Sequence, residues 1–101
     1  MKFYKFTAIF EPEKGRENVF NVYIPALRGC LSFGESLAED RYNIREALEL
    51  YLETFLEEER PIPSDEKIKN PKGAHAEEIT VGVDFEIKTG FSQKSMAYNA
   101  K

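Results

Sequence analysis

Hydrophobic and polar residues alternate strictly in two stretches, one near each end of the chain. In residues 3–10, one set of alternate positions holds Tyr4, Phe6, Ala8 and Phe10, and the other holds Phe3, Lys5, Thr7 and Ile9. In residues 78–87 the apolar set is Ile79, Val81, Val83, Phe85 and Ile87. A period of two is that of a β-strand, in which successive side chains point to opposite faces. The pattern therefore predicts the first and last strands of a sheet.

Two further strands and a turn are predicted between residues 19 and 34. Residues 19–24 place Phe20, Val22 and Ile24 on one face and Val19, Asn21 and Tyr23 on the other. The polar segment 11–18 is a loop, so the first two strands form an antiparallel hairpin. Pro25 ends the second strand, and Gly29 supplies the positive φ angle that a tight turn often needs. Cys30–Phe33 is then a short third strand.

From Ser36 to about Glu59 the period changes to that of an α-helix with one apolar face. Ser36 and Glu39 have the S-x-x-E spacing of a capping box, and Pro61 and Pro63 prevent the helix from continuing. The apolar stripe consists of Leu37, Ile44, Ala47, Leu48, Tyr51, Leu52, Phe55 and Leu56. The opposite, acidic face includes Asp40, Glu46, Glu49, Glu53 and Glu57. About twenty helical residues span roughly 30 Å, which is enough to cover a sheet.

The predicted order is β-β-β-α-β, and we expect an α+β fold with a four-stranded sheet and one long helix packed on one face. A long connection rich in Pro, Gly and charge, residues 61–77, separates the helix from the last strand. We expect the last strand beside the first and parallel to a strand of the meander, because a helix precedes it. The second face of the sheet is then open. Residues 89–101 have no strong period, and we expect a flexible tail.

Composition and charge favour a single domain that binds a basic partner. The chain has 101 residues, enough for one modest core, and a formal net charge of −4. Binding to phosphates usually needs clustered Lys and Arg, so nucleic acid is not an expected partner. The single cysteine excludes an internal disulfide and fits a reducing, cytoplasmic setting. No apolar run approaches the ~18 residues of a membrane span, so we expect no membrane association.

Cys30 and His75 are the only cysteine and the only histidine in the chain. A catalytic cysteine needs a base and an electropositive setting, and His75 lies in the predicted connection with no fixed relation to Cys30. We therefore expect Cys30 to be a small structural hydrophobic residue and His75 to be solvated. One histidine without suitably spaced carboxylates does not make a metal site. We expect no catalytic, cofactor-binding or metal-binding residues.

The run F-N-V-Y-I-P-A-L-R-G-C-L-S-F-G-E-S-L-A-E-D, followed by N-I-R-E-A-L-E-L-Y-L, resembles the HicB family of antitoxins. The N-terminal domains of that family have a strand that ends in a P-x-L-P-G-C-like turn, a Gly-acid-Ser/Thr helix start and a helix with Glu-Ala pairs. The matching residues are Pro25, Leu27, Gly29, Cys30, Gly34, Glu35, Ser36, Glu39, Asn43, Glu46, Ala47 and Leu52. The resemblance covers roughly residues 3–63 and extends to the fourth strand.

This resemblance implies a degenerate ribonuclease H-like domain that binds and occludes a small basic HicA-like toxin, an mRNA-cleaving protein. The domain would span residues 1–88 and form a homodimer or larger assembly. The chain departs from the family at Arg28, where Pro is frequent, and at Asp40, where Ala is common. Many members append a helix-turn-helix or ribbon-helix-helix domain that binds operator DNA. Nothing after Ile87 supplies an amphipathic helix of adequate length, so we expect no separate DNA-binding domain.

The candidate partner-binding residues lie on the open face of the sheet and around the start of the helix. On the open face they are Phe3, Ile9, Val19 and Tyr23, which nothing in the predicted fold covers. Near the turn and the helix start they are Arg28, Glu35, Glu39 and Asp40. A cluster of apolar and aromatic residues suits a protein interface as readily as an ordinary solvated face. The acidic helix face either steers a basic toxin or is simply solvated.

Two alternatives stay open at this point. A remnant ribonuclease H-like enzyme, or a small-ligand-binding domain with residues 61–77 as a lid, would use the open face of the sheet. Ribonuclease H chemistry holds two Mg²⁺ ions with several carboxylates, one of them in the middle of the first strand. Residues 5–8 contain no acid, and Glu39, Glu46 and Asp84 are typical surface charges. An orphan structural domain is the other alternative.

Overall fold

The computed structural model describes residues 1–84, which form one sheet and one helix. The elements are β1 (Lys2–Pro12), β2 (Phe20–Tyr23), β3 (Leu31–Phe33), α1 (Leu37–Glu57) and β4 (His75–Val83). The strand order is β3-β2-β1-β4, with α1 packed on one face. The α+β class, the element order and the place of β4 beside β1 are therefore confirmed. Phe85, Ile87 and the predicted tail 89–101 lie outside the described residues.

The core lies between α1 and the face of the sheet that holds Phe6, Ala8 and Phe10. α1 contributes Ile44, Leu48 and Leu52, all completely buried. Their spacing of four residues makes them one ridge along the helix. From β2 and β4 the core receives Val22, Ile79, Val81 and Val83. Each large apolar side chain buried in this way contributes roughly 1.5–3 kcal/mol, most of which is offset by ordering the chain.

Residues 24–36 are a structural link between β2 and α1. Gly29 has a φ angle of +87°, the left-handed conformation that the turn requires. Ser36 is the N-cap of α1, and its hydroxyl accepts a hydrogen bond from the Glu39 N–H at 3.1 Å. The Glu39 carboxylate accepts from the N–H of Glu35 at 2.7 Å, one residue before the cap. The predicted capping box is thus present, with its second hydrogen bond shifted by one residue.

The direction of β4 relative to its neighbour β1 differs from the parallel arrangement expected after a helix. β4 runs antiparallel to β1, with Glu78 opposite Thr7 and His75 opposite Phe10. α1 runs back along the sheet, so a strand that followed it directly would be parallel to β1. The chain instead returns along the sheet through residues 58–74, the connector, and β4 begins where α1 began. Accordingly Arg41, near the start of α1, pairs with Glu77, near the start of β4, at 2.8 Å.

The connector crosses the face of the sheet that points away from α1, here called the reverse face. Asp65 accepts hydrogen bonds from the backbone N–H of Thr7 at 2.9 Å and from its hydroxyl at 2.7 Å. β2 pairs only with residues 9–12 of β1, so the Thr7 N–H lies beyond the end of β2 and needs another acceptor. Farther along, Lys67 pairs with Glu78 of β4 at 3.2 Å. The predicted connection of 61–77 ends earlier, because β4 begins at His75.

The path of the connector changes which residues of the reverse face are accessible. The prediction that nothing in the chain covers Ile9 and Val19 is wrong, because Ile9 is completely buried and Val19 is 8% exposed. Neither belongs to the core cluster on the helix side, which agrees with their position on or beside the reverse face. Phe3 remains exposed and Tyr23 is half-buried. The reverse face is therefore covered around Thr7 and Ile9, whereas Lys5, Glu78 and Thr80 on the same face remain exposed.

We expect Leu48→Ala to lower the free energy of unfolding by about 2–5 kcal/mol, because it leaves a cavity in the middle of the buried ridge. Denaturant unfolding followed by circular dichroism measures this change. Leu50→Ala is the matched control, since Leu50 is 65% exposed on the same helix and should change stability by less than about 0.5 kcal/mol. Equal effects of the two substitutions would contradict the assignment of the helix face.

We expect Asp65→Ala to lower the free energy of unfolding by about 1–3 kcal/mol, because the Thr7 N–H and hydroxyl lose their acceptor. The Thr7 amide should also exchange with solvent faster, which hydrogen exchange measured by NMR detects. Glu66→Ala changes the adjacent exposed carboxylate and serves as the control. If both variants retained the exchange rate of the unmodified chain at Thr7, the anchor of the connector would be disproved.

Candidate protein-binding surface

The solvent side of α1 carries a row of glutamates. Glu46, Glu49, Glu53 and Glu57, here called the acidic stripe, follow one another at three or four residues. Within residues 1–84 none of the four forms an ion pair. Partial burial, together with repulsion from Glu49 and Glu57, raises the pKa of Glu53. Like charges at these spacings destabilise a helix by a few tenths of a kcal/mol per pair.

The basic residues of α1 point to the other side, toward β4. Arg41 donates hydrogen bonds to both carboxylate oxygens of Glu77, at 3.0 and 2.8 Å. Arg45 donates to the backbone carbonyl of Thr80. The hydrogen bond from Arg41, with a smaller contribution from His75, lowers the pKa of Glu77, although burial opposes this shift. α1 is therefore electrically two-sided, with its arginines bound to the sheet and its glutamates left to solvent.

Large apolar side chains stand exposed beside the acidic stripe. Tyr42 and Leu50 lie on the outer side of α1, and the Tyr42 hydroxyl donates to Glu46 at 2.9 Å. On the adjacent edge strand β3, Leu31 and Phe33 are also exposed. Apolar and aromatic groups surrounded by charged ones are typical of protein interfaces. The hydrophobic pattern missed these four residues; Tyr42 and Leu50 were detectable as apolar residues outside the helical stripe.

A second acidic group stands at the start of α1 and consists of Glu35, Glu39 and Asp40, here called the helix-start acids. Glu35 and Glu39 are exposed, whereas Asp40 is completely buried. Within residues 1–84 neither carboxylate oxygen of Asp40 has a hydrogen-bond partner. Burial, and then repulsion from Glu39 and Glu35, raises the pKa of Asp40.

The prediction that Asp40 lies on the exposed acidic face is therefore wrong. Asp40 precedes Ile44 by four residues, so it continues the buried ridge of Ile44, Leu48 and Leu52. Residues four apart share one side of a helix. This spacing was visible in the sequence, but the charge of the side chain favoured an assignment to the solvent face.

The remaining predicted partner-binding residues are not brought together into one patch. Phe3 is exposed at the start of β1, and Tyr23 is half-buried on β2. Arg28 is exposed in the turn before β3, and its carbonyl accepts a hydrogen bond from the Tyr51 hydroxyl. Exposed apolar and acidic groups lie together instead on the outer side of α1 and at the β3 edge, with the helix-start acids beside them.

The geometry around Cys30 and His75 does not assemble a catalytic pair. Burial raises the pKa of the Cys30 thiol to about 11, so the thiol stays protonated. The expectation that His75 is a solvated loop residue is wrong. His75 lies in β4, where its ring stacks on Phe10 with 4.9 Å between the ring centroids.

The part of the chain that the structure describes has neither a metal site nor a membrane-spanning helix. No three His, Cys, Asp or Glu side chains in residues 1–84 lie close enough together to hold a metal ion. In the same residues no helix has the length and apolar character needed to cross a membrane.

Comparisons with known proteins agree on one family. A family model described as a HicB-like antitoxin of bacterial toxin-antitoxin systems matches residues 6–97. The UPF0150 protein ssr1765 of Synechocystis sp. is 35% identical over 68 residues, which is 67% of this chain and 84% of that protein.

Solved structures show the same fold. A chain of a HicA3 and HicB3 toxin-antitoxin complex has a TM-score of 0.54 at 22% identity, over 80% of this chain and 99% of that chain. The N-terminal domain of the Burkholderia pseudomallei antitoxin HicB has a TM-score of 0.57 at 22% identity, over 81% of this chain and 100% of that domain. The predicted resemblance is thereby confirmed.

We expect Asp40→Asn to stabilise the protein at neutral pH, by on the order of 1 kcal/mol, because it removes a buried negative charge without a partner. The folded-state pKa of Asp40 lies above its unfolded value, so the carboxylate lowers stability as pH rises through the folded-state pKa. The gain should therefore vanish in acid, where Asp40 is protonated in both states. Denaturant unfolding at a series of pH values tests this, with Glu66→Gln as the control. A stability gain independent of pH would contradict the assignment.

Proposed function

Because the chain belongs to the family of HicB-like antitoxins of bacterial toxin-antitoxin systems, we propose that it neutralises a small, basic, HicA-like mRNA-cleaving toxin by binding and occluding it. The observation on which this proposal depends is the acidic stripe, whose four carboxylates have no cationic partner within residues 1–84. A surface that repels itself is stabilised when a basic protein covers it. This function needs no bond-breaking chemistry in the antitoxin.

Binding would combine long-range attraction with a short-range apolar contact. The acidic stripe increases the rate of encounter with a positively charged protein, by about 10- to 1,000-fold at low ionic strength. Tyr42 and Leu50, exposed beside the stripe, are the groups whose burial would hold the complex together. Salt should therefore slow association far more than it speeds dissociation.

We also propose that the chain forms a homo-oligomer in the cytoplasm, where a toxin that cleaves mRNA acts. The supporting observation is β3, a strand at the edge of the sheet, on which Leu31 and Phe33 are exposed. Exposed edge strands readily pair with another chain. The net charge of −4 supports a protein partner rather than direct binding of operator DNA.

The direct test is co-expression of the chain with the small basic protein encoded by the neighbouring gene. We expect the two proteins to co-purify, and growth arrest caused by the basic protein to be relieved. The control is Glu66→Gln, a change at an exposed loop position that should leave co-purification and the relief of growth arrest unchanged. If a folded antitoxin chain left an active neighbouring toxin unbound, the proposed function would be incorrect.

The role of the acidic stripe is tested by the double substitution Glu46→Lys with Glu53→Lys. We expect the association rate with the basic protein to fall about tenfold or more at low salt, and the difference to shrink as salt is added. Glu17→Lys with Glu66→Lys is the matched control, since it makes the same change in net charge at exposed loop positions. Equal losses for both double variants would show that only the total charge matters. Stopped-flow or surface-binding kinetics provide the measurement.

A further inference from the structure

Asp40 is an anomaly among the buried residues. Its side chain is completely buried, and both carboxylate oxygens lack a hydrogen-bond partner within residues 1–84. Buried polar groups in folded proteins are almost always paired, because an unpaired one loses its water without compensation. An apolar residue would serve better at this position if packing of the helix ridge were the only requirement.

The carboxylates of Asp40 and Glu39 lie together against Gly34, and this acidic cluster is here called the recess. A Cβ atom added at Gly34 would lie 2.9 Å from Oδ1 of Asp40 and 3.0 Å from Oε1 of Glu39. The two carboxylates therefore pack against Gly34 and occupy the space that a side chain at this position would need. Glu35 is the residue after Gly34, and its carboxylate forms an ion pair with Arg16 at 3.1 Å.

We propose that Asp40 and Glu39, with Glu35 beside them, form the receptor for one lysine or arginine side chain of the basic partner. This inference rests on the proposed function and specifies where a single partner residue is recognised. An ammonium or guanidinium group donates several charge-assisted hydrogen bonds and neutralises part of the repulsion between carboxylates. A metal ion is a poorer fit, because Ca²⁺ takes about six to eight oxygen ligands and the described residues provide no group of three ligating side chains.

The recess is continuous with the acidic stripe. Glu39 precedes Glu46 by seven residues, which is about two helical turns, so the two side chains lie on the same side of α1. A basic protein that lies along the stripe reaches the start of α1 with the rim of its contact surface. The inserted side chain must displace the Glu39 carboxylate from its hydrogen bond with the Glu35 N–H. Residues 34–39 are therefore the part that must adjust on binding.

This arrangement couples partner binding to a proton. The charged groups around Asp40 are Glu39 on α1, Glu35 on the preceding loop and, through Glu35, Arg16 on the β1–β2 loop. Without a partner the two glutamates disfavour ionisation of Asp40, whereas a cation in the recess favours it. Binding then releases a proton from Asp40 at pH values below its free-state pKa. Affinity consequently rises with pH through that pKa and is constant above it.

The test measures binding of the basic protein encoded by the neighbouring gene, by calorimetry in buffers of different ionisation enthalpy, from roughly pH 4 to pH 8. The variants are Asp40→Asn, which keeps the shape of the side chain, and the control Glu66→Gln. We expect Asp40→Asn to weaken binding about 10- to 100-fold at neutral pH and to remove the coupled proton release. The same substitution should stabilise the free protein, so a fall in affinity does not reflect damage to the fold.

The outcomes separate this inference from the proposed function. If the unmodified chain binds the basic protein, and Asp40→Asn binds it equally well with the same pH dependence, the receptor is disproved and the antitoxin function stands. If the unmodified chain does not bind at any of these pH values, the proposed function fails, and the receptor with it. Loss of affinity with Asp40→Asn but not with Glu66→Gln, together with loss of proton release, supports the receptor.

Discussion

After β3 the chain runs along the sheet twice, once as α1 and once as the connector, and the hydrogen bonds between Asp65 and Thr7 attach the second passage to the sheet. It requires an anchor where β2 ends, because the N–H of Thr7 has no neighbouring strand there. The carboxylate of Asp65 provides that anchor with two hydrogen bonds. The same passage lets β4 run antiparallel to β1, and Ile9, on the face that the connector crosses, is completely buried. The connector thus covers the middle of the reverse face around Thr7 and Ile9, while the exposed apolar residues of α1 lie on the other side of the molecule.

α1 carries its arginines on the side that faces β4 and the acidic stripe on the side that faces solvent. Arg41 and Arg45 bind groups of β4 and help hold the helix to the sheet, whereas the acidic stripe lies on the outer side of α1 and forms no ion pair within residues 1–84. A helix selected for stability alone would intersperse lysines among those glutamates, since opposite charges at three or four residues support it. Local costs of this kind are expected where a surface serves binding, and stability is then maintained elsewhere in the core.

Asp40 is a second local cost in stability, and it lies in the interior of the protein. It stands on the buried ridge of α1, where an aliphatic residue would complete the packing, and its charge is disfavoured by burial and by two neighbouring acids. Gly34 lies beside it, and a side chain at that position would require the carboxylates of Asp40 and Glu39 to shift. The capping hydrogen bonds of Ser36 and Glu39 hold this region together while no partner is bound. The start of α1 thus combines a helix cap, a packing position and a group of acids within a few residues.

Local signals in the sequence were sufficient for the elements themselves. Alternation predicted β1 and the described part of β4, S-x-x-E spacing predicted the start of α1, and Gly29 has the positive φ angle that its turn was predicted to need. Each of these signals depends on residues only a few positions apart, whose backbone conformation is decided by sterics and nearby hydrogen bonds. The family resemblance could also be recognised at this level, because its motifs lie in one continuous run.

The direction of β4, the covering of Ile9 and the burial of Asp40 were decided by the tertiary structure alone. The first two depend on the route of the connector, which has no hydrophobic period and is anchored by a contact between residues 58 positions apart. The third depends on whether packing against the sheet overrides the preference of a carboxylate for water, a balance that no pattern along the chain expresses. The sequence by itself therefore determined which segments become strands and helix, and the folded chain determined which of their faces meet solvent.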